Sequence, residues 1–185
     1  VRLDAVAMPL PRANVATDQI VPARFLKKPR SDNFGNYLFH DLRADPAFVL
    51  NQPAYKEARI LVAGRNFACG SSREHAVWAL VDGGFRAAIA PSFSDIFSSN
   101  ALKNGFLPVV LTEETVAAIL AALAQAPGTR LTVDLESQRV ISPVGTHPFE
   151  IAPFPKQCLI EGLDEIGYTL GQIEKVAAFE RQYET

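Results

Sequence analysis

Three short apolar runs, at 60–63, 86–90 and 107–111, recur through the middle of the chain, with longer stretches of helical spacing between and after them. This alternation limits the possible folds more than any other feature of the sequence. Ile60-Leu61-Val62-Ala63, closed by Gly64, has the length and composition of a buried strand. Residues 72–81 follow as a helix stopped at Gly83-Gly84, and the second strand, 86–90, ends at Pro91. A helix over 93–103 closes at Asn104-Gly105, the third strand spans 107–111, and a helix over 113–125 ends at Pro127-Gly128. A strand–helix–strand–helix–strand order brings each strand back in the same direction as the last. The expected class is α/β, with a parallel or mixed central sheet and covering helices.

The flanks have a different texture. The first forty residues read as irregular and rich in turn formers, with Pro9 and Pro11 interrupting the N-terminal stretch. Residues 27–33 are polar and basic with few apolar anchors, as in a surface loop whose charges are simply solvated. Residues 130–135 and 139–141 alternate apolar and polar positions around Glu136-Ser137-Gln138, as a hairpin would. A proline-rich connection over 143–155 leads to helices at 158–163 and 171–183. With no internal repeat, the chain reads as one domain over 1–185 carrying a helical tail from about 156.

Composition excludes several functions. A net charge of -2 gives no basic face for nucleic acid. The longest apolar run, 116–124, is about half of what a membrane helix needs. Val116, Ile119, Leu120 and Leu123 within it share one helical face, so it reads as a core helix. No targeting segment is visible, and the composition is that of a cytoplasmic protein. Three His and two Cys, all scattered, give no disulfide framework and no multi-ligand metal site within the chain.

The chemistry concentrates where the first strand runs through Gly64-Arg65-Asn66-Phe67-Ala68-Cys69-Gly70-Ser71-Ser72-Arg73-Glu74-His75 into a helix. Free amides and the positive end of the helix dipole at such a junction suit an anionic ligand. It is not a nucleotide-binding fingerprint, since Gly64 and Gly70 have no third glycine at dinucleotide spacing and no Lys follows Gly70. Ser71 and Glu74 have the spacing of a capping box. The same amides, with Arg73, would also stabilise a serine oxygen as it becomes negative, so a cap and a base are both open readings of Ser71. Cys69 reads as a lone thiol and Trp78 as a packing residue.

The run Gly70-Ser71-Ser72-Arg73-Glu74-His75-Ala76, preceded by Gly64 and Asn66-Phe67, resembles the signature of the swivelling domain of the aconitase superfamily. Thr17-Asp18-Gln19-Ile20-Val21-Pro22-Ala23-Arg24-Phe25-Leu26 looks like that family's N-terminal motif, and Phe34-Gly35-Asn36-Tyr37-Leu38-Phe39 is similar to the stretch following the recognition loop in bacterial isopropylmalate dehydratase small subunits. Ser92-Phe93-Ser94-Asp95-Ile96-Phe97, Asn100 and Asn104-Gly105 continue the resemblance over nearly the whole chain. One departure is Ala68, where the family usually has glycine.

The resemblance implies a swivelling β/β/α three-layer domain and a hydro-lyase that interconverts 2-isopropylmalate and 3-isopropylmalate in leucine biosynthesis. It gives Ser71 the role of base, and Ser72 and Arg73 the holding of a substrate carboxylate. Arg30 and Lys28 would contact substrate from the 27–33 loop, and Gly70, Glu74 and His75 would support the junction. Asp18 would orient the junction or meet a partner, or else cap the turn before Pro22. The family's [4Fe-4S] cluster needs more thiolates than Cys69 and Cys158 supply, which places it on a large subunit. Expected partners are therefore that cluster-bearing subunit and a small dicarboxylate, with no cofactor bound by this chain. Alternatives are a related hydro-lyase for citramalate, homoaconitate or another 2-hydroxy dicarboxylate, and a non-catalytic anion-binding module.

Overall fold

The computed structural model describes residues 1–71 and 73–163. Strand β1 is Arg2–Leu10, followed by β2 (Ile60–Ala63), β3 (Ala87–Ala90) and β4 (Leu107–Val110). Strands β5 (Arg130–Asp134), β6 (Arg139–Ser142) and β7 (Gly145–Pro148) complete one mixed sheet in the order β4-β3-β2-β1-β5-β6-β7. The helices are α1 (Thr17–Ile20), α2 (Glu74–Asp82), α3 (Asp95–Lys103), α4 (Glu113–Gln125) and α5 (Pro153–Glu161). The central alternation is as the sequence predicts, with β2 and α4 at the expected bounds and the rest within a few residues. The sheet is parallel from β1 to β4 and antiparallel from β1 through β7.

The expectation of an irregular N-terminus is overturned, since β1 is the longest strand and joins the two halves of the sheet. Its first part pairs with β5, from Arg2↔Asp134 to Val6↔Arg130, and its second part pairs with β2, from Ala7↔Ile60 to Leu10↔Ala63. The amide of Ala7 makes the last bond on the β5 side, to the Thr129 carbonyl at 3.0 Å. Two residues on, Pro9 faces the same side beyond the end of β5, so its missing N–H breaks no ladder bond.

Two more expectations change within the proline-rich stretch. Residues 145–148 form β7, an edge strand with mostly exposed side chains and so without an apolar pattern to announce it. Helix α5 begins at Pro153, earlier than expected, because prolines fit the first turn, where amides have no intrahelical partner. It closes at Gly162 in the left-handed conformation (φ 67°). The helix expected at 171–183 lies outside the described residues.

Alternation along the strands divides the core in two. Met8, Leu10, Leu61, Ala63, Ala88 and Ala90 face α2, α3 and the 15–58 segment. Ala5, Ala7, Ile60, Val62, Ala87 and Ile89 face α4, with Leu131, Val133 and Val140 of β5 and β6 in the same cluster. One open cleft is lined both by Val110 and Leu111 at the end of β4 and by His147 and Pro148 of β7, so the sheet curls until its edges approach. No helix among the described residues is long and apolar enough to cross a membrane.

Candidate active site at the end of the second strand

The junction after β2 is shaped first by a close backbone approach. A Cβ on Gly64 would lie 2.6 Å from the carbonyl oxygen of Arg12, so only glycine lets the two segments pass. The chain then takes positive φ at alternate residues, Asn66 (57°), Ala68 (58°) and Gly70 (85°). The residues between them bond to opposite neighbours. Phe67 donates its amide to the Ser92 carbonyl (3.0 Å) and accepts from the Ser94 amide (3.2 Å). Cys69 donates to the Val15 carbonyl (3.1 Å) and accepts from the Thr17 amide (3.0 Å). The Ser92 hydroxyl accepts from the Asn66 amide (2.8 Å), and Asn66 Nδ2 donates to Asn14 Oδ1 (2.8 Å). A left-handed alanine costs about 1 kcal/mol, and this double row of bonds is what holds it there.

Ser71 emerges from the junction exposed to solvent, and its carbonyl accepts from the buried Thr17 hydroxyl at 2.8 Å. Arg73 is the N-cap of α2 with no side-chain capping bond, and its guanidinium Nη1 pairs with the Asp18 carboxylate. The Arg73 side chain is 18% exposed and that of Asp18 57%, so the cation is the sheltered member. Asp18 reaches Arg73 from the first turn of α1. Ser72 lies outside the described residues.

The capping box expected between Ser71 and Glu74 does not form. Helix α2 starts at Glu74, two residues later than the sequence suggests, and the Glu74 carboxylate accepts from Asn104 Nδ2 at 2.8 Å instead. Asn104 also accepts from Trp78 Nε1 (3.2 Å), which ties the end of α3 to the first two turns of α2. His75 packs its ring against Trp78 (4.6 Å between centroids) and Phe34 (5.5 Å). Trp78 is a packing residue, as its sequence context suggests.

The structure does not bring the two basic loop residues to Ser71. Arg30 forks onto Asp82 (3.0 and 3.2 Å) and lies 5.0 Å over the Trp78 ring. Asp82 ends α2, so that head group sits about 12 Å along the helix from its start. Lys28 is exposed on a turn whose amide bonds to the Phe25 carbonyl. Three residues that the sequence places in motifs, but to which it gives no role at the site, also shape it: Thr17, Ser92 and Asn104. Each acts from a different segment, through contacts that only the fold brings about.

The donor set does not suit an iron–sulfur cluster. Cys69 is in the junction and Cys158 is buried on α5, and among the described residues no group of three or more His, Cys, Asp or Glu could hold a metal ion. What the arrangement offers is an exposed serine, a fixed guanidinium and an uncapped helix start, which together suit a carboxylate and a developing negative charge.

Comparisons with known proteins identify the family. The model of the aconitase C-terminal domain matches residues 1–114, and a second, LeuD_N, matches residues 117–153. The 3-isopropylmalate dehydratase small subunit of Rhodospirillum centenum is 50% identical over 99% of this chain and 94% of its own length. That of Acidobacterium capsulatum is 51% identical over 98% and 89%. The crystal structure of 3-isopropylmalate dehydratase from Methanocaldococcus jannaschii shares 25% identity, with a TM-score of 0.72, over 97% of this chain and 99% of that one. The curled mixed sheet, the serine–arginine junction and relatives of about half identity over nearly full length agree, and the chain belongs to the family of 3-isopropylmalate dehydratase small subunits.

Proposed function

We propose that this chain supplies the proton-transfer and carboxylate-binding half of a cytoplasmic hydro-lyase that interconverts 2-isopropylmalate and 3-isopropylmalate in leucine biosynthesis. One observation supports the assignment of roles: the sheltered Arg73 guanidinium and the main chain of an exposed Ser71 are bonded to adjacent residues, Asp18 and Thr17, of the same short helix. Water is lost from one pair of adjacent carbons and added back with hydrogen and hydroxyl exchanged. Ser71 Oγ takes the carbon-bound proton in the first half and returns a proton to the neighbouring carbon in the second. A serine is a weak base at its ordinary pKa, so its oxygen depends on the cation and amide donors around it. Arg73 uses Nη1 for Asp18, and a guanidinium has five N–H donors, so another edge can pair with a substrate carboxylate.

The departing hydroxyl needs a Lewis acid, which a [4Fe-4S] cluster on a large subunit would supply, because two cysteines in separate elements cannot hold one here. The exposure of Ser71 suits a site completed by that subunit. Lys28 and Arg30 stand as contacts to the substrate's distinguishing substituent only once the Arg30–Asp82 fork opens. The test is anaerobic assay of 2-isopropylmalate turnover after reconstitution with the cluster-loaded large subunit. Ser71→Ala is expected to lose on the order of a thousandfold in kcat while still binding that subunit. Undiminished turnover by Ser71→Ala would overturn the role of Ser71, and a clear preference for citramalate or homoaconitate would overturn the substrate.

A further inference from the structure

Two polar side chains are buried among the described residues, Thr17 at 2% and Thr132 at 6% exposure. Thr132 lies on β5 and donates to Asp4 Oδ2, remote from the junction. Thr17 points its polar groups into the junction, and both act on the main chain that carries Ser71. Its amide donates to the Cys69 carbonyl (3.0 Å) and its hydroxyl to the Ser71 carbonyl (2.8 Å).

The residue spanned by these two bonds is Gly70, in the left-handed region at φ 85°. The nearest atom to a Cβ built there is the Ala16 methyl at 3.9 Å, so side-chain packing does not fix Gly70. A glycine flanked by space is the most freely rotating point of a backbone, and it directly precedes the proposed base. Holding the carbonyls on both sides of it restricts rotation about Gly70 and sets the direction in which Ser71 leaves the loop. The next residue, Asp18, holds Arg73. Adjacent positions of one short helix therefore fix the base through its main chain and the carboxylate-binding cation through its side chain.

We infer that Thr17 is a positioning residue for the dehydration and rehydration, and that its hydroxyl sets the alignment of Ser71 through the Ser71 carbonyl. The inference rests on the reading of Ser71 as the base. Misalignment of a proton-transfer group by a fraction of an ångström lowers the rate of that step without changing how the substrate is held. Thr17→Val keeps the shape and the amide bond and removes only the hydroxyl donor, whereas Thr17→Ser keeps the donor.

The experiment compares the reconstituted two-subunit enzyme carrying wild type, Thr17→Val, Thr17→Ser and Ser71→Ala. Thr17→Val is expected to lose about ten- to a hundredfold in kcat, with KM and affinity for the large subunit within about twofold. The kinetic isotope effect on substrate deuterated at the transferred position is expected to be at least as large as in wild type. Thr17→Ser is expected to recover most of the rate. If Thr17→Val does not fold, Thr17→Cys, of similar size and a poorer donor, is read by the same criteria. A kcat within twofold of wild type, or a loss that tracks the unfolded fraction or falls equally on Thr17→Ser, overturns the inference. An active Ser71→Ala overturns the role of the serine, whereas an inactive Ser71→Ala beside a fully active Thr17→Val overturns the positioning role alone.

Discussion

Arg73 and Asp18 meet across the junction although 55 positions separate them in the chain, and the arginine is the more sheltered of the two. Asp18→Asn leaves a partly buried guanidinium without its counter-charge and free to swing. The expected result is a rise in KM of about tenfold with a smaller change in kcat, because the lost contact holds the proposed substrate-binding group and not the proposed base. Steady-state kinetics of the two-subunit enzyme decide this, and an unchanged KM argues against Arg73 as the carboxylate ligand.

Asp82 secures the basic loop twice, by the fork from Arg30 and by the Phe34 amide bonded to Oδ2 at 3.0 Å. Asp82→Asn weakens both bonds. Amides of residues 28–34 should exchange with deuterium several-fold faster in the isolated chain, while those of β2 stay unchanged. Unaltered exchange in the loop would mean that the fork does not restrain it.

Ala68 stands at φ 58° and is 1% exposed. Ala68→Gly relieves about 1 kcal/mol of left-handed strain, but it loses a buried methyl worth about 0.8 kcal/mol and gains freedom in the unfolded chain. These terms nearly cancel, so its melting temperature should shift by only a few degrees. Ala68→Val adds β-branching where φ is positive and bulk where there is no room, and should cost more than about 2 kcal/mol. Thermal unfolding of the two variants checks both signs.

Acid should loosen the base of the 24–41 loop. The Arg24 guanidinium, hydrogen-bonded to Asp41, draws that carboxyl down to about 2. Because the folded value lies below the unfolded one of about 3.9, the contribution is complete above pH 4 and disappears as pH falls through about 2. Wild type and Asp41→Asn should differ in melting temperature near pH 5 and converge near pH 2. Both groups are about half exposed, so salt should shrink the gap. A gap independent of pH would place the effect elsewhere.

The order of elements from β2 to α4 was legible because each obeys a local rule: an apolar run, a helical period, a Gly or Pro stop. β1 was not, because Pro9 signals a break unless it is known that β5 ends short of it. Prolines at 153 and 155 hid the start of α5 for a similar reason, and exposed β7 had no apolar pattern to find. At the candidate site, the junction that carries Ser71 and Arg73 was legible as a strand running through two glycines into a helix, whereas the pairing of Arg73 with Asp18, 55 positions away, was not. The bond from Asn104 that takes Glu74 out of a capping box could not be read locally, since it depends on how α3 docks beside α2. The resting place of Arg30 could not be read locally either, since its partners Asp82 and Trp78 are set by packing.

The pairing of β1 with two different strands also sets an order of assembly during synthesis. The frame of the junction uses residues from Arg12 to Asn104, and the parallel half of the sheet is complete at Val110. β5 begins only at Arg130 and must reach back to pair with Arg2 through Val6. As the chain leaves the ribosome, the serine–arginine junction can therefore form while half of β1 still waits for its partner. The antiparallel half of the sheet closes later than the parallel half, and slow or faulty closure there would leave a sheet edge exposed beside an already formed site.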